Sequence, residues 1–266
     1  MRLEHGALGY VKDDADPRDF LLCSMRDKVE LPVAEDLLTL PGLPSSWNQL
    51  KIGSCTSFSS LFAPIYLQIK SGYKWPFNPA FLFQYYNTRL LAGNEKIDSG
   101  GQIRDAIKAM AKYGICPDYF WPYIAGKFAQ EPPTKAYEDA LIHQISEYAR
   151  VPLTSDDLRY AIAIEKVPVI LGIQCFENLD SDEVANSGIL KMPKKRDRFI
   201  GGHAVAAVKF NWKHKKLGRA FGFRNSWGPR WGDKGLFWVP EEYVLQYASD
   251  PWIVRNSEEL KWPKAA

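Results

Sequence analysis

The sequence predicts an α+β fold of two lobes, one helical and one built of strands, with a cleft between them. Three observations point there. Apolar residues recur at three- and four-residue steps through the first half, then give way to short β-rich runs from Val167 onward. The 266 residues suffice for one large domain or for two small lobes sharing a cleft. Reactive groups fall on both sides of that change of texture, with Cys55 in the helical half and His203 and Asn225 in the β half.

Residues 1–30 are polar, rich in Asp and Arg, and without a period; Asp13–Asp19 reads as extended or turn chain around Asp16-Pro17. From Ser54 the pattern is helical, with Phe58, Leu61, Phe62, Ile65 and Ile69 on one stripe. Pro64 inside it must kink that helix or end its first part. Asn78 is expected to cap a second helix, with Pro79 at its first position and Leu91 at its end. After Ser99-Gly100-Gly101 a third helix runs Ile103–Tyr113 and stops at Gly114. Asp156–Ile164 is a weaker fourth. Val167–Ile173, Ala204–Phe210, Arg219–Phe223 and Gly235–Val239 read as strands. The organisation expected is an extension over 1–30, one domain over 31–250 (helical over 31–145, β over 146–250), and a tail over 251–266.

Composition excludes several classes. The chain is 46% hydrophobic and 14% aromatic with a net charge of +3, which argues against disorder and against a nucleic-acid partner. The basic runs Lys191–Arg198 and Lys213–Arg219 lack interleaved aromatics and read as solvated loops. Cys23, Cys55, Cys116 and Cys175 form no CxxC pair, and the four histidines show no HExxH spacing, so neither a metal nor a disulfide is expected. No segment nears the roughly 20 apolar residues of a membrane span. The N-terminus does not read as a signal peptide. The expected location is the cytoplasm, or outside the cell by a signal-independent route, as a monomer.

The chemistry lies in three runs: Gln49 to Cys55, Gly202-His203-Ala204-Val205, and Arg224-Asn225-Ser226-Trp227-Gly228. A thiol attacks a carbonyl as thiolate, so it needs a base or cation beside it. The base needs a group that fixes its tautomer, and the tetrahedral intermediate needs donors for its oxyanion. Cys55 at a helix start, where unpaired amides favour a thiolate, suits the first role. His203, Asn225 and Gln49 suit the others. Each has a plainer reading taken alone: Cys55 a buried structural thiol, His203 a core histidine, Asn225 a turn cap, Gln49 a surface residue, Gly100 and Gly101 a helix-entry turn. Their joint order and spacing argue for catalysis.

These residues resemble the papain-like cysteine peptidases over about Leu31 to Val239. The match rests on Gln49 with Gly53-Ser54-Cys55, Ser99-Gly100-Gly101, Tyr113-Gly114-Ile115 with Trp121-Pro122-Tyr123, His203–Val208, and above all Asn225-Ser226-Trp227-Gly228 with Trp231-Gly232 and Gly235. Two departures, Ile52 where papain has a disulfide cysteine and Thr56 where it has Trp, resemble the bacterial and viral Gly-Ser-Cys-Thr branch, the xylellain-like enzymes. Asn225 lies farther from Cys55 than the roughly 130–150 residues usual in the family, an excess assigned to the Asn211–Gly218 hairpin.

The resemblance implies a papain-like two-lobed fold with a β-barrel-like antiparallel lobe, and an endopeptidase acting on peptides or proteins with no cofactor. Cys55 is then the nucleophile, paired as thiolate with imidazolium His203 and holding a pKa below the free value of about 8.5. Asn225 orients the base, and Gln49 joins the Cys55 N–H in holding the oxyanion. Gly100, Gly101, Ile103, Ala204 and Trp227 line the substrate cleft, with Ile103 and Ala204 suggesting an apolar pocket for the substrate's second residue. Two alternatives stand beside it: an idle binding module on the same scaffold, and an exopeptidase or acyltransferase using the same triad. Part of Gly6–Leu22 either crosses the Cys55–His203 cleft as a short pro-segment or packs behind a lobe.

Overall fold

A computed structural model describes residues 6–22, 29–74 and 76–255. Its centre is α1 (Cys55–Lys70), buried from Cys55 through Ile69. α2 (Phe81–Leu91) and α3 (Ile103–Tyr113) pack beside it, and the sheet covers another flank. Pro64 neither ends α1 nor splits it. Its missing donor is tolerated because the helix is packed on every side, so burial offsets the lost hydrogen bond. The second helix begins later than its cap signal suggests. Ala80 precedes it with no side-chain cap, and Asn78–Ala80 run extended, bonded to Cys116–Asp118.

The strands are β1 (Ala34–Asp36), β2 (Glu147–Arg150), β3 (Val169–Phe176), β4 (Phe199–His214), β5 (Gly218–Arg224), β6 (Leu236–Pro240) and β7 (Ala248–Arg255). They form one antiparallel sheet in the order β2-β7-β3-β4-β5-β6, with β1 pairing β4 at Lys209–Asn211. Among the described residues the sheet is open, without the barrel-like closure suggested by the resemblance. Its two edges are covered rather than joined. Leu21 bridges to Arg150 on β2, and Ile189 bridges to Trp238 on β6. Each edge thus finds a partner for part of its free backbone without closing the sheet.

Further helices are α4 (Thr134–Ala140), α5 (Ser155–Ala163), α6 (Asp182–Ser187) and α7 (Glu241–Tyr247). Thr154 caps α5 by accepting from the Asp157 N–H. The tail expected from 251 is displaced: Pro251–Arg255 belongs to β7, between β2 and β3, with Trp252, Ile253 and Val254 buried. The apolar run Trp252–Val254 has no exposed surface, which a solvent-facing tail would not allow. Likewise β1 joins the sheet from within the stretch assigned to the helical lobe. Residues 256–266 and Cys23 lie outside the described residues.

Candidate active site

The turn before α1 is pinned from three directions. The Gly53 N–H donates to Asp98 at 3.0 Å. The Tyr85 hydroxyl donates to the same carboxylate at 2.5 Å and accepts the Gly100 N–H at 3.0 Å. The Ser54 hydroxyl lies 2.6 Å from that of Tyr123, which donates to the Gln49 carbonyl at 2.7 Å. Ser54 therefore caps no helix donor with its side chain, although its carbonyl accepts the Ser57 N–H at 2.9 Å, and Cys55 opens α1. Asp98 and Tyr85 were not legible as site residues. The available signal was a carboxylate directly before the Ser99-Gly100-Gly101 turn.

Gln49 faces this turn and is held at both ends of its amide. Its Nε2 donates to the Ile52 carbonyl at 2.9 Å, and its Oε1 accepts from the Ser226 hydroxyl at 2.5 Å. Its backbone N–H donates to the Ser226 carbonyl at 2.8 Å. Ser226 thus ties the glutamine of one lobe to the loop that carries Asn225 on the other.

His203 sits on β4 opposite Ile173, and Asn225 follows β5. The Ser226 N–H donates to Asn225 Oδ1 at 2.8 Å, which fixes that atom as the oxygen. His203 Nε2 lies 2.7 Å from the same oxygen, so Nε2 carries the proton. Nδ1 is left as a lone pair with no hydrogen-bond partner among the described residues. The Trp227 ring tilts 34° over the imidazole with centroids 5.0 Å apart, shielding the Asn–His bond from water. The Ala204 N–H points at Cys55 Sγ from 3.4 Å, which brings the thiol to the strand that carries His203.

Residues 6–13 cross this centre as a strap. The Ala7 carbonyl accepts from Trp227 Nε1 at 3.2 Å. The Gly9 and Tyr10 N–H groups both donate to the Gly202 carbonyl, at 3.1 and 3.0 Å. The Gly101 N–H donates to the Gly9 carbonyl at 2.8 Å, and its own carbonyl accepts from Val11 at 3.0 Å, a parallel bridge at Tyr10. Gly9 passes so close that a Cβ there would lie 1.9 Å from the Gly53 carbonyl oxygen. Only glycine fits at that crossing.

The strap sets the electrostatics. Cys55, His203 and Gln49 have no exposed surface, and Asn225 has 4%. Burial pushes the Cys55 thiol up to about 12, although the N–H groups of Ala204, Gly9 and Thr56 pull the other way. Burial pushes His203 down to about 4 against the hydrogen bond it donates to Asn225. With the strap in place burial disfavours the charged form of both groups and so works against the ion pair expected from sequence. A charged pair needs the water or the substrate that the strap excludes.

The other expected cleft residues fall nearby. Gly101 pairs with the strap, Gly100 abuts Gly9, Ile103 opens α3 fully buried, and Trp227 contacts Ala7 and lies just beyond Gly6. Ile52, at papain's disulfide position, packs in an apolar cluster with Leu82, Phe83 and Cys116, so packing stands where a bridge would. Cys55, Cys116 and Cys175 are buried free thiols.

Residues 44–248 match the family described as papain family cysteine protease. The chain is 36% identical over 273 residues to an uncharacterized peptidase C1-like protein of Acanthamoeba polyphaga mimivirus, covering 93% of this chain and 86% of that one. The chain belongs to the papain family of cysteine proteases. Among solved structures the peptidase resembles xylellain, a cysteine protease from Xylella fastidiosa. The TM-score is 0.85 and the identity 32%, over 97% of this chain and 99% of xylellain. Bromelain from Ananas comosus, solved with the E64 inhibitor, shares the fold at a TM-score of 0.64 and 20% identity, over 85% of this chain and all of bromelain. The protein is accordingly a hydrolase acting on peptides or proteins.

Proposed function

We propose that this peptidase cuts within polypeptide chains through a thioester acyl-enzyme formed on Cys55. The observation that carries the reading is the fixed tautomer of His203: Nε2–H is committed to Asn225, which leaves Nδ1 to take the thiol proton. Cys55 Sγ attacks the scissile carbonyl carbon, whose oxygen becomes an oxyanion. The Cys55 N–H and the Gln49 amide nitrogen, held beside the turn by Ile52 and Ser226, stabilise that charge. Protonated His203 gives its proton to the departing amine. Water, losing a proton to His203, then hydrolyses the thioester and returns the thiol.

Internal cleavage is supported by the strap itself. A continuous chain runs from Ala7 at Trp227, past Cys55, to Val11 at Gly101, so the cleft accommodates polypeptide on both sides of the nucleophile. The same segment acts as a built-in restraint on access, because it occupies the ground a substrate must take.

The test is hydrolysis of an N-blocked, internally quenched peptide. The expected result is cleavage that disappears in Cys55→Ala and after alkylation by an epoxide, with folding unchanged by circular dichroism. Cleavage confined to peptides with a free N-terminus would replace this reading with an exopeptidase. Undiminished cleavage by Cys55→Ala would end the nucleophile assignment.

A further inference from the structure

One strap side chain is seated in the body of the protein rather than laid across it. The Tyr10 ring lies flat on two glycines. A Cβ at Gly172 would fall 2.0 Å from Tyr10 Cζ, and one at Gly202 would fall 2.9 Å from Cδ1. At the pocket base the phenol lies 2.6 Å from the Ser249 hydroxyl and donates to the Asp250 carboxylate. The pocket exists because β3, β4 and β7 meet there without side chains. Gly172 pairs with Ala204 on one side and Ser249 on the other. The β3–β7 register slips between Ile170 and Gly172, and Asp250 takes a left-handed φ of 51°. A non-glycine residue held there, beside a register slip, marks a local shape maintained against backbone preference.

The pocket's place relative to the nucleophile gives its role. The Gly9 N–H lies against Cys55 Sγ, and Tyr10 is the next residue. The strap passes Trp227, which covers His203, before Cys55 and reaches Gly101 after it. A substrate whose leaving amine takes its proton from His203 has its acyl side toward Gly101 and so runs opposite to the strap, which puts the residue before the attacked one where Tyr10 lies. Asp250 already holds Arg150 through its other carboxylate oxygen. A substrate cation would gain little from a carboxylate so paired, whereas a neutral hydroxyl can donate to Oδ2, which among the described residues otherwise accepts only the Asp13 N–H.

We infer that this pocket is the enzyme's specificity pocket and selects substrates with tyrosine two residues before the cleaved bond's leaving nitrogen, that is, next to the attacked residue. Tyr10 is then a copy of the preferred side chain, placed by the strap in the pocket it blocks. The inference rests on the peptidase reading above. It replaces the apolar pocket expected from Ile103 and Ala204 with one that is apolar along its walls and polar at its base.

The test uses the full chain and four quenched peptides that differ only at that position: Tyr, Phe, Leu or Arg. Tyr is expected to exceed Phe by about tenfold in kcat/KM, the worth of one hydrogen bond to a charged acceptor, with Leu and Arg lower still. Asp250→Asn keeps the size and the tolerance for left-handed backbone, and Ser249→Ala removes the second partner. Each is expected to bring the Tyr-to-Phe ratio toward one. Gly172→Ala should slow Tyr and Phe peptides alike and spare one with Ala at the position, which separates a filled pocket from a misfolded protein. A preference for Leu or Arg in the wild-type chain overturns the inference while leaving the peptidase intact, as does a Tyr-to-Phe ratio unmoved in both base variants. Failure to cleave any peptide, with Cys55 still alkylated by iodoacetamide, overturns the peptidase reading and the inference together.

Discussion

The strap is held in two different ways along its length. Over Cys55 it touches by backbone alone: Gly9 threads between Gly53, Gly100 and Gly202, and no charged side chain takes part. A few residues on, it is anchored almost wholly by side chains. The Asp13 N–H donates to Asp250 at 2.8 Å, and its carboxylate accepts from Trp252 Nε1 at 2.8 Å. Arg104 grips Asp19 with two bonds of 2.9 and 2.6 Å, and Arg150 reaches both Asp19 and Asp250. Blocking and holding are thus separate tasks. The first needs only a chain thin enough to enter the cleft; the second needs buried, directional contacts, where losing one partner leaves an uncompensated charge. Substitutions at one stretch should leave the other's task intact.

The largest effect falls beneath the blocked stretch. Gln49→Ala removes one oxyanion donor and is expected to lower kcat roughly 10²-fold with little change in KM. Steady-state kinetics check this, and a change confined to KM would make Gln49 a binding residue. Next is Gly9→Val, whose side chain meets the Gly53 carbonyl and must lift the strap from Cys55 while the Tyr10–Asp19 anchor remains. The rates of small-peptide hydrolysis and of iodoacetamide labelling should both rise, by about tenfold or more on the scale of one strained contact. Unchanged rates would show that backbone proximity is not what limits access.

The smallest effect probes the anchor by pH. Burial and the neighbouring Asp250 push Asp13 up to about 6, while Trp252 and the Arg104 N–H oppose the shift. A carboxyl raised in the docked state favours docking at low pH, and that contribution is lost as pH rises through about 6. His203, pushed down to about 4 by burial, works in the opposite sense: covering it is favoured at neutral pH and penalised as pH falls from about 6.5 toward 4. The two offset each other in the wild-type chain. Asp13→Asn removes the first alone, so strap release should become acid-triggered. Amide exchange at Gly9, Tyr10 and Val11, corrected for intrinsic rates, is expected to be nearly level from pH 4 to 6.5 in wild type and to quicken several-fold toward pH 4 in the variant. Parallel profiles would remove Asp13 from the anchor.

Legibility followed the range of the interactions. α1 and α3 showed in their apolar stripes, and α3's end in Gly114, because helix period and helix ends are local properties. β7 did not show, since Ala248–Arg255 becomes a strand only through β2 and β3 on either side. The N-cap signal at Asn78 lost to a long-range bond from the Ala80 N–H to Cys116. Asp98, which holds the Gly53 turn from a distant loop, carried no pattern of its own.

By itself the sequence determined which candidate reacting groups are present and their order along the chain, because the chemistry of a thiol, an imidazole and an amide belongs to the residue types. It also marked residues 1–30 as chain without a core of its own. Tertiary structure alone decided that Ala7–Val11 lies across Cys55, that burial opposes charge on Cys55 and His203, and that Gly172, Ser249 and Asp250 meet in one pocket. The physical reason is that burial and charge neighbourhood belong to the assembled chain: the same Asp250 is an ordinary loop carboxylate in sequence and the acceptor at a pocket base once three strands close around it.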